Sequence, residues 1–163
     1  MDTSEVNSVT CAIGEGVNPA PPPTIIQYAG DEFFIATTPS GHAIAIDVKG
    51  GRKSAPGPLE LFITGLGSCT AADVISILQK KREQVTAYHV EIRSERLEEH
   101  PRAFRRIELK HVIRGHNVSK DAVERAIALS TDKYCSAVAT VRATAEIVTI
   151  YEIQPAESEP SQP

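Results

Sequence analysis

This chain carries no net excess of positive charge. Its 17 Lys and Arg stand against 21 Asp and Glu, a formal net charge of -4 at pH 7. That sign argues against nucleic acid or an anionic membrane surface as a partner. The opening residues, MDTSEVNSVTCAIGEG, hold no basic stretch followed by an apolar one, so no secretory leader is read there and the expected residence is the reducing cytoplasm. Cysteine is scarce, with 3 in all, which points to chemistry or packing rather than to a disulfide framework. None of His42, His89, His100, His111 and His116 has ligand spacing with another histidine or a cysteine, so no metal is expected. A phosphate-binding glycine loop, a GxSxG nucleophile elbow and an internal repeat are all missing, and no cofactor is expected.

What remains is a soluble globular composition, 41% apolar and 23% charged, in 163 residues. That is enough for one domain with a real core. Residues 1–23 lack periodicity and end in NPAPPP, and 154–163 have the same character. Both are read as disordered flanks, leaving a folded domain over 24–153. Within it TIIQYAG, EFFIATT and HAIAIDV are short β-rich runs separated by Gly30-Asp31 and Pro39-Ser40-Gly41. They read as an antiparallel meander.

A loop dense in glycine and proline then leads to Pro58, where a helix is expected to begin and run to about Glu83, with Lys80, Lys81 and Arg82 in its last turn. Its length raises a transmembrane reading, but Glu60, Asp73, two glycines and several hydroxyls inside it argue against one. Its apolar residues fall on more than one side, which predicts a helix central to the fold. Tyr88, Val90 and Ile92 alternate with polar neighbours, as do Ile107, Leu109, His111 and Ile113, giving two strands. Ser119 is placed as the N-cap of a second helix reaching about Thr131, and RATAEIVTIYEI as a last strand. The element order predicts an α+β domain with helices covering sheet faces.

Cys11 lies in the N-terminal flank. Cys69 stands mid-helix in GLGSCTAA, and Cys135 closes LSTDKYCSAV. Taken singly, Cys69 and Cys135 each read first as a small buried hydrophobe and only second as a reactive thiol, and Cys11 has no definable environment. Asp73, one turn beyond Cys69 on the same face, opposes ionisation of that thiol.

Three phrases in order, PLELFITGLGSCTAADVISILQKK, SERLEEHPRAFRRIEL and AIALSTDKYCSAV, resemble the OsmC/Ohr family of osmotically inducible and organic-hydroperoxide-resistance proteins, and within it the branch with an ERxEExPRxF signature. The resemblance covers nearly all of 24–153. It implies an intertwined homodimer of α+β fold, with antiparallel sheets around central long helices. It also implies a thiol peroxidase acting on organic hydroperoxides, with Cys69 as the peroxidatic and Cys135 as the resolving cysteine. A sulfenic acid on Cys69 would condense with Cys135 to a disulfide, which an external dithiol or lipoylated protein would reduce.

The family's pattern also carries a glutamate ten residues before the first cysteine, paired with an arginine from the first β-turn. Here that position is Leu59, the acid is Glu60, and the first turn holds no arginine. Glu60 is therefore retained as a catalytic candidate, with Arg96 and Arg102 of the signature, and Arg52 behind them, as candidate thiolate-activating cations. A rival reading keeps the dimer but makes it a non-enzymatic binder of a small ligand, with unreactive cysteines.

Overall fold

In a computed structural model the described residues are 22–49 and 52–156. The expected N-terminal flank up to position 21, Cys11 with it, and the tail from 157 lie outside them. The chain divides into two compact units, the first ending at Pro58 and the second beginning at Leu59.

The first unit is the expected meander: β1 (Ile25–Tyr28), β2 (Phe33–Thr37) and β3 (Ala43–Asp47), antiparallel in that order. Its turns fall where glycine allows left-handed backbone, Gly30 at φ 91° and Gly41 at φ 84°. After β3 the chain is clamped by a buried carboxylate. Asp47 accepts from Arg52 Nε and Nη2, both at 3.0 Å, and from the Ser54 hydroxyl at 2.7 Å. Arg52 also donates to Asp31 from Nη1 at 2.7 Å. The Arg52 guanidinium and the Ser54 hydroxyl hold the Asp47 carboxyl well below the usual carboxylate range.

The second unit starts with α1 (Pro58–Lys80), which has Pro58 at its first position and Glu60 in its first turn, as expected. The helix stops three residues short of Glu83. Arg82 takes a left-handed φ of 61°, its N–H donates to Gln79 O, and the Glu83 N–H donates to Leu78 O. This closing double bond is usually built on glycine. Then come β4 (Gln84–Arg96), β5 (Phe104–His116), α2 (Lys120–Leu129), a π-helical turn (Ser130–Tyr134), α3 (Ser136–Val141) and β6 (Glu146–Pro155). Ser119 caps α2, its hydroxyl accepting from Ala122 N–H at 3.3 Å.

The sheet of the second unit corrects one expectation. β4 and β5 pair antiparallel, but β6 lies parallel to β5, so the sheet is mixed. The reason is the long crossover through α2, the π turn and α3, which returns the chain to the end where β5 began. Strand β6 also runs two residues past Ile153, pairing Gln154 with Arg114 and Pro155 with Gly115.

Strand β5 supplies the centre of the core: Ile107, Leu109, His111 and Ile113, alternate residues on one face, are all fully buried. Ile107 and Leu109 join one apolar cluster and Ile113 a second. Leu66, Cys135, Val138 and Val141 belong to the first, with Cys69 at its edge. Val74, Leu78, Val123, Ala126 and Ile127 belong to the second.

Helix α1 is not buried on most faces within the chain. Its buried residues Leu66, Gly67, Thr70, Val74 and Leu78 form one stripe, while Leu59 and Phe62 are exposed. By length and composition alone it could cross a membrane, yet the buried stripe packs into the two clusters of the second unit.

Candidate functional site

Cys69 sits mid-way along α1, half-buried, and Cys135 is 2% exposed. Two features of the chain bring them together. The first is the glycine at position 67, which lets α1 lie close on β4: a Cβ there would fall 2.1 Å from Ile92 Cδ1. The second is the π turn. The Cys135 N–H donates to Ser130 O at 2.8 Å, five residues back, and Cys135 then becomes the N-cap of α3, its sulfur accepting from Val138 N–H at 3.4 Å. The turn is tied to α1 from its first residue, since the buried Ser130 hydroxyl donates to Asp73 Oδ2 at 3.0 Å.

The Cys135 sulfur lies 3.3 Å from Thr70 Oγ1, one residue after Cys69. Cys69 packs against the cluster that holds Cys135. The Ala137 backbone N–H favours a thiolate on Cys69. Burial, the neighbouring Cys135 thiol and the Asp73 carboxylate together outweigh it and push the Cys69 thiol above its ordinary value. Among the described residues no cation is among the groups that shift it.

The remaining candidates lie elsewhere. Glu60 is nine residues before Cys69 on α1. That spacing puts it about 13 Å away along the axis and on the opposite side of the helix, so within one chain it cannot meet the thiol. Arg96 and Arg102 brace the β4–β5 hairpin: Arg96 Nε donates to Arg102 O at 2.7 Å, and Arg102 Nε to Glu98 O at 3.3 Å. Arg52 is bound to Asp47 and Asp31 in the first unit. The groups around the thiols are instead Thr70, Asp73, Ser130 and two backbone N–H donors of α3. Sequence reasoning noted Asp73 but missed Thr70 and Ser130, whose one signal was their adjacency to the cysteine phrases.

His111 is also buried in the core. Its Nδ1 is 2.7 Å from Tyr88 Oη, while its Nε2 has no partner among the described residues. Burial drops its pKa to about 4 and raises that of Tyr88, so the pair is neutral at pH 7.

Two free thiols, one from α1 and one from the end of the π turn, thus share one apolar cluster. Residues 50–150 match the OsmC-like protein family model. Protein YhfA of Escherichia coli is 41% identical over 120 residues, covering 74% of this chain and 89% of that protein. The crystal structure of a hypothetical protein from Aquifex aeolicus is similar at 30% identity with a TM-score of 0.74, over 83% of this chain and 97% of that one. An organic hydroperoxide resistance protein OsmC from Legionella pneumophila shares the fold at a TM-score of 0.59 and 14% identity, over 82% of this chain and 99% of that one.

Proposed function

This chain is a member of the OsmC-like protein family, and on that premise we propose that it is a cysteine-based organic hydroperoxide reductase. The observation that carries the reading is the meeting of Cys69 and Cys135, 66 positions apart in sequence, as free thiols in one apolar cluster, Cys135 buried within it and Cys69 packed against it. The Cys69 thiolate attacks the distal oxygen of the hydroperoxide. The O–O bond breaks, the alcohol leaves with the proton, and a sulfenic acid remains on Cys69. The Cys135 thiol condenses with it, releasing water and closing a disulfide. An external dithiol or lipoylated protein then reduces that disulfide by exchange.

The exposed apolar residues Ile25, Ile26 and Tyr28 of the meander, with Leu59 and Phe62 of α1, support a homodimer in which a second copy covers them. Family membership supports a peroxide-related stress role, and the reading places that role in the cytoplasm. Glu60, Arg96 and Arg102 enter it only through a second copy, since in one chain they do not reach the thiols.

A second reading is favoured by one observation, the Cys69 thiol held protonated with no cation among the groups that shift it. In it the protein binds a small ligand as a dimer and its cysteines do not turn over. Mass spectrometry of the reduced protein after one equivalent of an organic hydroperoxide separates the two. Loss of two hydrogens within seconds, mapped to a Cys69–Cys135 link, is the expected result. Thiols that stay free for minutes sink the reductase and leave the binding protein.

A further inference from the structure

Thr70 is the residue on α1 whose hydroxyl touches the Cys135 sulfur, and it is fully buried. A threonine hydroxyl has one hydrogen and can accept at its oxygen as well. Thr70 Oγ1 donates that hydrogen to Leu66 O at 3.2 Å, one turn back on its own helix. Its 3.3 Å contact with Cys135 Sγ is therefore one in which oxygen accepts and the Cys135 S–H donates. The Val138 N–H donates to the same sulfur at 3.4 Å. The result is a directed pair of bonds, Cys135 S–H to Thr70 O–H to the Leu66 carbonyl. The Cys135 proton is thereby drawn to Thr70 rather than to Cys69.

We propose that Thr70 is a positioning residue that holds the Cys135 proton on the far side of its sulfur, so that a lone pair faces Cys69 when that sulfur becomes electrophilic, and that it thereby sets how long oxidised Cys69 persists before the disulfide closes. The inference rests on the two-cysteine reading above and deepens it. In the closing step the lone pair of Cys135 forms the S–S bond, the bond from Cys69 sulfur to its leaving group breaks, the Cys135 proton is lost to water, and the leaving group takes a proton from water. From the sulfenic acid the product is water; from a methyl disulfide it is methanethiol. Without the hydroxyl, the nearest acceptor for the Cys135 S–H is the Cys69 sulfur itself, which places the proton where the new bond must form. Slow closure then exposes sulfenic Cys69 to further oxidation to the sulfinic acid.

The test uses the full chain with one equivalent of methyl methanethiosulfonate, which places a methylthio group on Cys69 without any peroxide. Loss of that group as Cys135 closes the disulfide is followed by mass spectrometry. Thr70→Val keeps the β-branched shape and removes the hydroxyl, and is expected to slow closure about tenfold, the scale of one lost hydrogen bond. Thr70→Ser is expected to restore it. With an organic hydroperoxide, the sulfenic acid of Thr70→Val should remain open to capture by a cyclic diketone probe. Should Thr70→Val not fold, Thr70→Ala removes the same hydroxyl. Closure in the valine or alanine variant at the unmodified rate overturns the proposal, as does a serine variant as slow as valine, or an unmodified adduct that never closes. A protein that closes its methylthio adduct but ignores hydroperoxides would instead overturn the reductase reading and leave Thr70 in its role.

Discussion

Gly67 lies two residues before Cys69, on the stripe of α1 that faces β4, and a double-mutant cycle with Ile92 tests whether that close approach sets the depth of the helix. A methyl group on residue 67 would fall 2.1 Å from Ile92 Cδ1 and 3.3 Å from its Cγ1, so the terminal carbon must retreat by more than an ångström. Two effects oppose each other. Alanine in a helix interior gains about 1 kcal/mol over glycine, while overpacking costs about 1–3 kcal/mol. The obstacle is the end of a side chain rather than backbone, which places the clash near the middle of that range. Gly67→Ala is therefore expected to lose ~1 kcal/mol net. Ile92→Val deletes the carbon in the way and on its own also costs ~1 kcal/mol. In the double variant the new methyl enters the space Cδ1 vacates, and stability should return close to the starting value, a coupling of roughly 2 kcal/mol. Urea unfolding at one fixed protomer concentration, which removes any contribution from mass action, measures all four corners. Additivity within about 0.5 kcal/mol would mean that α1 and β4 do not meet through this pair, and the argument for the position of Cys69 would lose its support.

Three further outcomes are expected. Gly115→Ala places its Cβ 2.2 Å from the Gln84 backbone oxygen and 2.6 Å from Val118 Cγ2; backbone does not yield as a side-chain tip does, so a loss at or above the ~3 kcal/mol end of overpacking should appear in the same urea assay. Iodoacetamide labelling of Cys69 should be slow at neutral pH and still climb where an ordinary thiol has levelled off, because the thiol is held protonated. Cys135→Ala, which removes the neighbouring thiol that raises it, should move the climb to lower pH, and a labelling midpoint below about pH 8 in the unmodified protein would refute the assignment. His111 titrates near 4 when folded and about 6.5 when unfolded. Between those values the unfolded chain binds the extra proton, so the stability this group contributes is whole above about pH 6.5 and lost as pH falls toward 4, up to ~3 kcal/mol. His111→Gln should flatten that slope in acid titrations of the unfolding midpoint.

Much of the chain announced itself locally. Gly30 and Gly41 mark turns because they take left-handed backbone, and Pro58 and Ser119 mark helix starts because their own chemistry suits those positions. The failures share a cause in tertiary structure. The left-handed Arg82 that stops α1 looks in sequence like one more helix-ending cation. The parallel pairing of β6 depends on where a 29-residue crossover from Asn117 to Ala145 comes down, which no local pattern encodes. The phrase LSTDKYC reads as a helix end followed by loop, whereas it is a π turn running straight into α3. At the site, the two cysteines were legible as types and their meeting was not a matter of spacing. Thr70 and Ser130 were invisible because a buried hydroxyl bonded across the fold looks, in sequence, like any small helix residue.

The π turn between Ser130 and Tyr134 carries a consequence for how such a chain tolerates change in length. A residue added to or removed from a helix rotates everything beyond it by about 100°. The wide turn gives the segment after α2 the angular offset that faces the Cys135 sulfur toward α1, where it meets Thr70. Insertions in the 97–103 hairpin or in the 117–119 connection leave that angle untouched. One residue lost between Leu129 and Cys135 swings the thiol away from its partner and turns Val138 and Val141 of α3 out of the first cluster with it, while α1, α2 and the second cluster are left in place. Two chains with the same fold and the same cysteines can then differ in whether they close a disulfide, by nothing more than the count of residues in this single turn.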